Sequence, residues 1–156
     1  MAMSININNF VDQTVMHDPE SGLYGDCGRA CIATLLGLQS SNVPHFLINN
    51  DPFEFCRLVN EFLAHYGLYH LETHYYDFDR GDSEGAVNCY HMIYGKTERG
   101  TNHAVVTMNG KMIHDPHPSK DGLLESDREN WLFGFLVAAG PIQLQSNSDS
   151  KRGNKR

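Results

Sequence analysis

Between Asp26 and Gly37 the chain reads Cys-Gly-Arg-Ala-Cys-Ile-Ala-Thr-Leu-Leu, apolar on most sides of a helical wheel. This pattern predicts a buried helix, with Asp26 as its cap and Gly37 as its left-handed stop. Phe55, Leu58, Val59, Phe62, Leu63 and Tyr66 then recur at helical spacing. They predict a second helix from Asp51-Pro52 to Tyr66, with Pro52 in its first turn and Gly67 ending it. Beyond it the density of β-branched, aromatic and apolar residues becomes strand-like over 68–76, 87–95, 103–108 and 111–115. A last strand pair, or one long bent strand, falls within 131–145 around Gly140-Pro141. Asn109-Gly110 is the strongest hairpin signal in the chain. Helices first and antiparallel strands afterwards predict an α+β fold. One domain is expected over residues 1–145, and a disordered polar and basic tail over 146–156.

Composition narrows the classes of function. The 156 residues carry a net charge of −7, so the body of the protein has no general attraction for nucleic acid or anionic lipid. No apolar run approaches membrane-spanning length, and residues 1–9 lack the pattern of a secretory leader, which predicts a protein that stays in the cytoplasm. Free thiols are expected there for the four cysteines, Cys27, Cys31, Cys56 and Cys89. Cys-x3-Cys is not a zinc-knuckle spacing, and Cys56 and Cys89 have no partner at ligand-like spacing, so neither a metal nor another cofactor is expected.

The segment from Gly25 to Cys31 holds the candidate chemistry. A thiol becomes a strong nucleophile as a thiolate, which positive potential favours, and a helix N-terminus supplies that potential. Cys27 sits one residue past the cap, whereas Cys31 lies a turn deeper among apolar neighbours. Gly25 and Gly28 are expected to let a substrate backbone come close. A base is then needed, with an acceptor on its far nitrogen. His103 heads one predicted strand and Asp115 closes the next. A two-residue loop at Asn109-Gly110 pairs Ala104 with Asp115 and puts His103 and Asp115 on opposite faces. A three-residue loop, Met108-Asn109-Gly110, pairs Thr107 with Lys111 and sets His103 opposite Asp115. The second register is the one expected. Among the nine histidines, His65, His70 and His74 are expected at or near the surface, while His114 and His117 flank the Asp115-Pro116 turn. His45, Phe46, Tyr90 and His117 are candidate walls of a binding cleft. The acidic residues of 77–85 read as a solvated loop.

Three blocks then resemble a known family. Asp12-Gln13-Thr14, Gly25-Asp26-Cys27-Gly28-Arg29-Ala30-Cys31 through Gly37, and His103-Ala104-Val105-Val106 with His114-Asp115-Pro116-His117-Pro118 look like small papain-like cysteine peptidases. These are similar to the bacteriocin-processing C39 group and common in phage and bacterial genomes. The resemblance covers most of the chain to about Leu124. It implies a papain-like fold and a Cys27–His103–Asp115 triad. It also implies that Gln13, the one glutamine before Cys27, donates to an oxyanion hole, although the intervening loop 15–24 is longer than that group uses. The implied reaction is acyl transfer through a thioester on a peptide, protein or small amide, in the host cytoplasm if the chain is phage-encoded. Resolution by water makes a peptidase, deconjugating enzyme or amidase, and resolution by an amine makes a transamidating enzyme. A third expectation is a protein that binds or sequesters a partner on the same fold without turnover.

Overall fold

The computed structural model describes residues 7, 9–47, 51–74, 88–108 and 111–140. The Asn109-Gly110 turn, the acidic loop 77–85 and the tail 146–156 lie outside them. Helix α1 spans Cys27–Leu36 and ends on Gly37, whose φ of 67° lets its N–H reach the Ala33 and Thr34 carbonyls. Helix α2 spans Pro52–Ala64, and the Asp51 carboxylate accepts from the N–H groups of Phe53 and Glu54. Five antiparallel strands follow: β1 Leu68–His74, β2 Tyr90–Lys96, β3 Asn102–Met108, β4 Lys111–His114 and β5 Leu132–Ala138. They make one sheet in the order β1-β5-β2-β3-β4, so the α+β expectation holds. The segment after Trp131 forms a single strand as far as Ala138, and residues 141–145 lie outside the description.

Helix α1 lies on β3 and α2 on β1, on one face of the sheet. Ala30, Ile32 and Ala33 of α1 and Val59 and Leu63 of α2 meet Met92, Ala104 and Val106 there. The opposite face carries Ile93, Val105 and Phe133, covered by Trp131 and Leu123 from the segment that returns to β5. Strand β3 is therefore buried on both faces. The second helix ends at Ala64, short of the expected Tyr66, which is exposed at the rim.

Two expectations about local structure are corrected. Asp26 does not cap α1 with its side chain. Its Oδ1 accepts from the N–H groups of Thr14 and Val15 at 2.9 and 2.8 Å, and its Oδ2 from the Thr14 hydroxyl. These long-range donors outcompete the helix, and they fasten the N-terminal segment to the start of α1. The hairpin register also differs. Met108 pairs with Lys111, as the two-residue loop requires, so the expected pairing of Thr107 with Lys111 is wrong. The pairing then slips by one residue, from Thr107 opposite Met112 to Val106 opposite His114. Such a bulge on β4 reverses the alternation of side chains beyond it. Asp115 is thereby returned to the face of His103 by a route the turn alone does not provide.

Candidate active site

Cys27 is the first residue of α1, and the backbone N–H groups of Ala104 and Gly28 act to lower its thiol pKa. Ala104 is the neighbour of His103 on β3, so the helix start and the strand start meet at this sulfur. Cys27 is half-buried, whereas Cys31 is fully buried one turn deeper. Cys27 and His103 line one cavity of about 340 Å³, between the head of α1, the α2 side and the β2–β3 ends.

The His103 ring is 5 % exposed. Its Nε2 lies 2.7 Å from Asp115 Oδ1. Asp115 is 2 % exposed, and it also accepts from the His117 N–H at Oδ1 and the Gly122 N–H at Oδ2, both at 2.8 Å. Burial acts to raise the Asp115 carboxyl, but the His103 bond and the two backbone donors outweigh it and hold the group below its ordinary range. A carboxylate that stays ionised requires the proton on Nε2, which leaves Nδ1 as the basic nitrogen of the imidazole. Burial also lowers the His103 pKa, against the pull of Asp115.

The sulfur behaves differently from the sequence expectation. Burial pushes the Cys27 thiol up to about 11, and the backbone donors of Ala104 and Gly28 offset only part of this. The helix N-terminus is present, yet desolvation is the larger effect. Burial thus favours the neutral forms of both the thiol and the imidazole.

The remaining predicted site residues divide. Gly25 and Gly28 line the cavity, but their missing side chains serve packing. A Cβ on Gly28 would meet the Phe55 ring at 3.1 Å, and one on Gly25 would meet His17 at 3.2 Å. His45 and Phe46 are in the lining; Tyr90 is not. His117 is not in it either; its ring stands edge-on to His103 at 6.0 Å between centroids, and its Nδ1 is held by Ser119. Gln13 is not brought to the cavity. Its side-chain amide donates to the Val15 carbonyl at 3.0 Å, the same carbonyl that accepts from the Asp26 N–H. Its donor is thus spent inside the N-terminal segment. His70 is buried rather than superficial, and its Nε2 bonds the Tyr94 hydroxyl at 3.1 Å. Gly134 of β5 passes between these two rings, where a Cβ would stand 2.7 Å from each.

The sequence reading missed Glu72, Cys56, Tyr94 and Gly95, which complete the cavity wall. For two of them the signal is strand pairing: Tyr94 and Gly95 stand opposite Ala104 and His103. No cluster of three or more metal-ligating side chains occurs among the described residues. No helix among them is long and apolar enough to cross a membrane.

Comparison of the chain with family models, with curated proteins and with solved structures returns no match in any of the three.

Proposed function

We propose that the chain is a cysteine-nucleophile acyl hydrolase of papain-like architecture, acting in the cytoplasm on a peptide, protein or small amide. The observation that carries this reading is the buried His103–Asp115 hydrogen bond of 2.7 Å in the wall of the cavity that Cys27 also lines. A buried ionised carboxylate is expensive to maintain for stability alone, and the imidazole it holds leaves its other nitrogen free on a cleft residue.

Because burial favours the neutral thiol and imidazole, activation accompanies attack. As the Cys27 sulfur bonds to the substrate carbonyl carbon, its proton passes to His103 Nδ1. Asp115 stabilises the imidazolium that forms. The backbone N–H groups at the head of α1 face the oxyanion, a role that does not require Gln13. His103 then gives the proton to the departing amine as the C–N bond breaks, leaving a thioester on Cys27. Water, deprotonated by His103, hydrolyses that thioester and restores the thiol.

Iodoacetamide labelling of the wild type, Cys27→Ala, Cys31→Ala and His103→Ala tests the assignment. Label is expected on Cys27 near neutral pH, with His103→Ala shifting that reaction towards the alkaline range where an unassisted thiol of pKa about 11 ionises. Identical pH profiles with and without the imidazole, or labelling that depends on Cys31, would sink the proposal.

A further inference from the structure

The cavity extends from Cys27 and His103 to Glu72 on β1, between apolar walls that include Phe46, Pro52 and Phe55. Three charged groups other than the histidines line it. Asp26 and Arg29 are paired with each other at 3.6 Å, and Asp26 is further held by Thr14 and Val15. Glu72 has no such partner. Glu72 is solvent-exposed on β1; its Oε1 lies 3.8 Å from His70 Nδ1 and accepts from the Cys56 thiol at 3.9 Å. Burial lowers the His70 pKa to about 4, so this ring is neutral near pH 7 and supplies no countercharge. No lysine or arginine among the described residues pairs with Glu72. Across the sheet it faces Gly134, which has no side chain to offer.

Burial also raises the Glu72 carboxyl above its ordinary range. An unmet acceptor lies in the same wall. His45 uses Nε2 on the Tyr24 carbonyl at 2.8 Å, which leaves Nδ1 as a buried lone pair with no partner among the described residues. The cleft beyond the sulfur thus offers apolar walls, a carboxylate with no cationic partner among the described residues and one unmet imidazole nitrogen, the complement of a cation on an aliphatic stem.

We propose that Glu72 makes this cleft selective for substrates whose acyl portion carries a cationic side chain, an ammonium or guanidinium on a methylene stem, as lysine and arginine do. The inference rests on the acyl-transfer reading above. The stem lies along the Phe46 and Phe55 walls and the cation meets the Glu72 carboxylate, which fixes the carbonyl carbon relative to Cys27.

The test uses the full chain and three acyloxymethyl ketones of one scaffold, bearing a lysine, norleucine or glutamate side chain. Alkylation of Cys27 is followed by intact-protein and peptide mass spectrometry. The wild type is expected to react with the lysine reagent about tenfold faster than with the norleucine one, and slowest with glutamate. Glu72→Gln brings the lysine-to-norleucine ratio towards one, and Glu72→Lys moves the preference to glutamate. The ratio reads selectivity independently of thiol reactivity, because all the reagents report on the same sulfur. A wild type that prefers norleucine, a ratio unchanged in Glu72→Gln, or no reaction with the lysine reagent while iodoacetamide still labels Cys27, each overturns the proposal. The wild-type ranking needs no variant to fold. Failure of the underlying reading shows separately, as iodoacetamide labelling indifferent to His103→Ala.

Discussion

Replacing Asp115 by asparagine keeps the shape of the side chain and removes its charge, which isolates what the carboxylate contributes. In the wild type Oδ1 accepts from His103 Nε2 at 2.7 Å and from the His117 N–H at 2.8 Å, while Oδ2 accepts from the Gly122 N–H at 2.8 Å. An amide has one oxygen. Placed towards His103, it leaves the new NH2 facing the Gly122 donor. Turned over, the NH2 faces His103 and drives the ring proton to Nδ1, where it blocks the base. A hydrogen bond to a charged group contributes about 1.5–3 kcal/mol, and a buried donor left unmatched costs about 1–3 kcal/mol. The variant is therefore expected to lose about 2–4 kcal/mol at neutral pH, a large part of the ~5–15 kcal/mol that holds a domain folded. The loss has a pH signature. The Asp115 carboxyl is depressed in the folded state, so its stabilisation is present above the unfolded carboxyl value, about 3.9. It disappears as pH falls through the lower folded value. Urea unfolding should show the gap between wild type and Asp115→Asn at full size at pH 7 and narrowing below about pH 4. Alkylation of Cys27 at pH 7 is expected to slow by about ten- to a hundredfold, because the imidazolium loses its adjacent charge. Equal stability at pH 7, or a gap that persists undiminished in acid, would refute the account of Asp115.

Asp26→Ala strands the Thr14 and Val15 N–H groups and is expected to cost about 2–4 kcal/mol, with faster hydrogen exchange at those two amides; unchanged protection there would show that the carboxylate does not hold the segment. For His70, the folded pKa of about 4 lies below its ordinary 6.5, so the unfolded chain takes up the proton first and stability falls as pH drops between those values. The loss is up to about 3 kcal/mol, and the groups facing the ring are the Tyr94 hydroxyl and the Glu72 carboxylate. In His70→Gln, chemical denaturation from pH 7 to 4 should show a shallower decline, and an identical slope would contradict the buried neutral ring.

Features encoded by neighbouring residues were legible in the sequence. The extent of α1 and α2 followed from apolar spacing and from Gly37 and Gly67, both of which adopt positive φ. The strands were found to within a few residues, because their apolar density is local. Contacts spanning long stretches of chain were not legible. The bulge on β4 leaves no composition signal in Lys111-Met112-Ile113-His114, yet it decides on which face Asp115 emerges. Asp26 looks like a cap until Thr14 and Val15 arrive from twelve and eleven residues away. His70 sits in a strand that reads as half-exposed, and only the pairing of β1 with β5 buries it against Tyr94. Cys27 was found by its place at a helix head, but its desolvation depends on how α1 settles against β3, which periodicity does not report.

The N-terminal segment binds both halves of the molecule. Val11 donates to the Thr34 hydroxyl, Thr14 and Val15 to Asp26, Gln13 to the Pro116 carbonyl, and Lys120 reaches back to Asp12. A nascent chain leaving the ribosome holds the sulfur and the imidazole well before it holds Asp115 and the Gly122 amide that fixes it. Until residues 115–122 emerge, the stretch 11–15 has no far anchor and the ring has no partner for Nε2. The connection from β4 to β5, the last between strands to be synthesised, is therefore also the one that completes the His103–Asp115 pair and its Gly122 anchor.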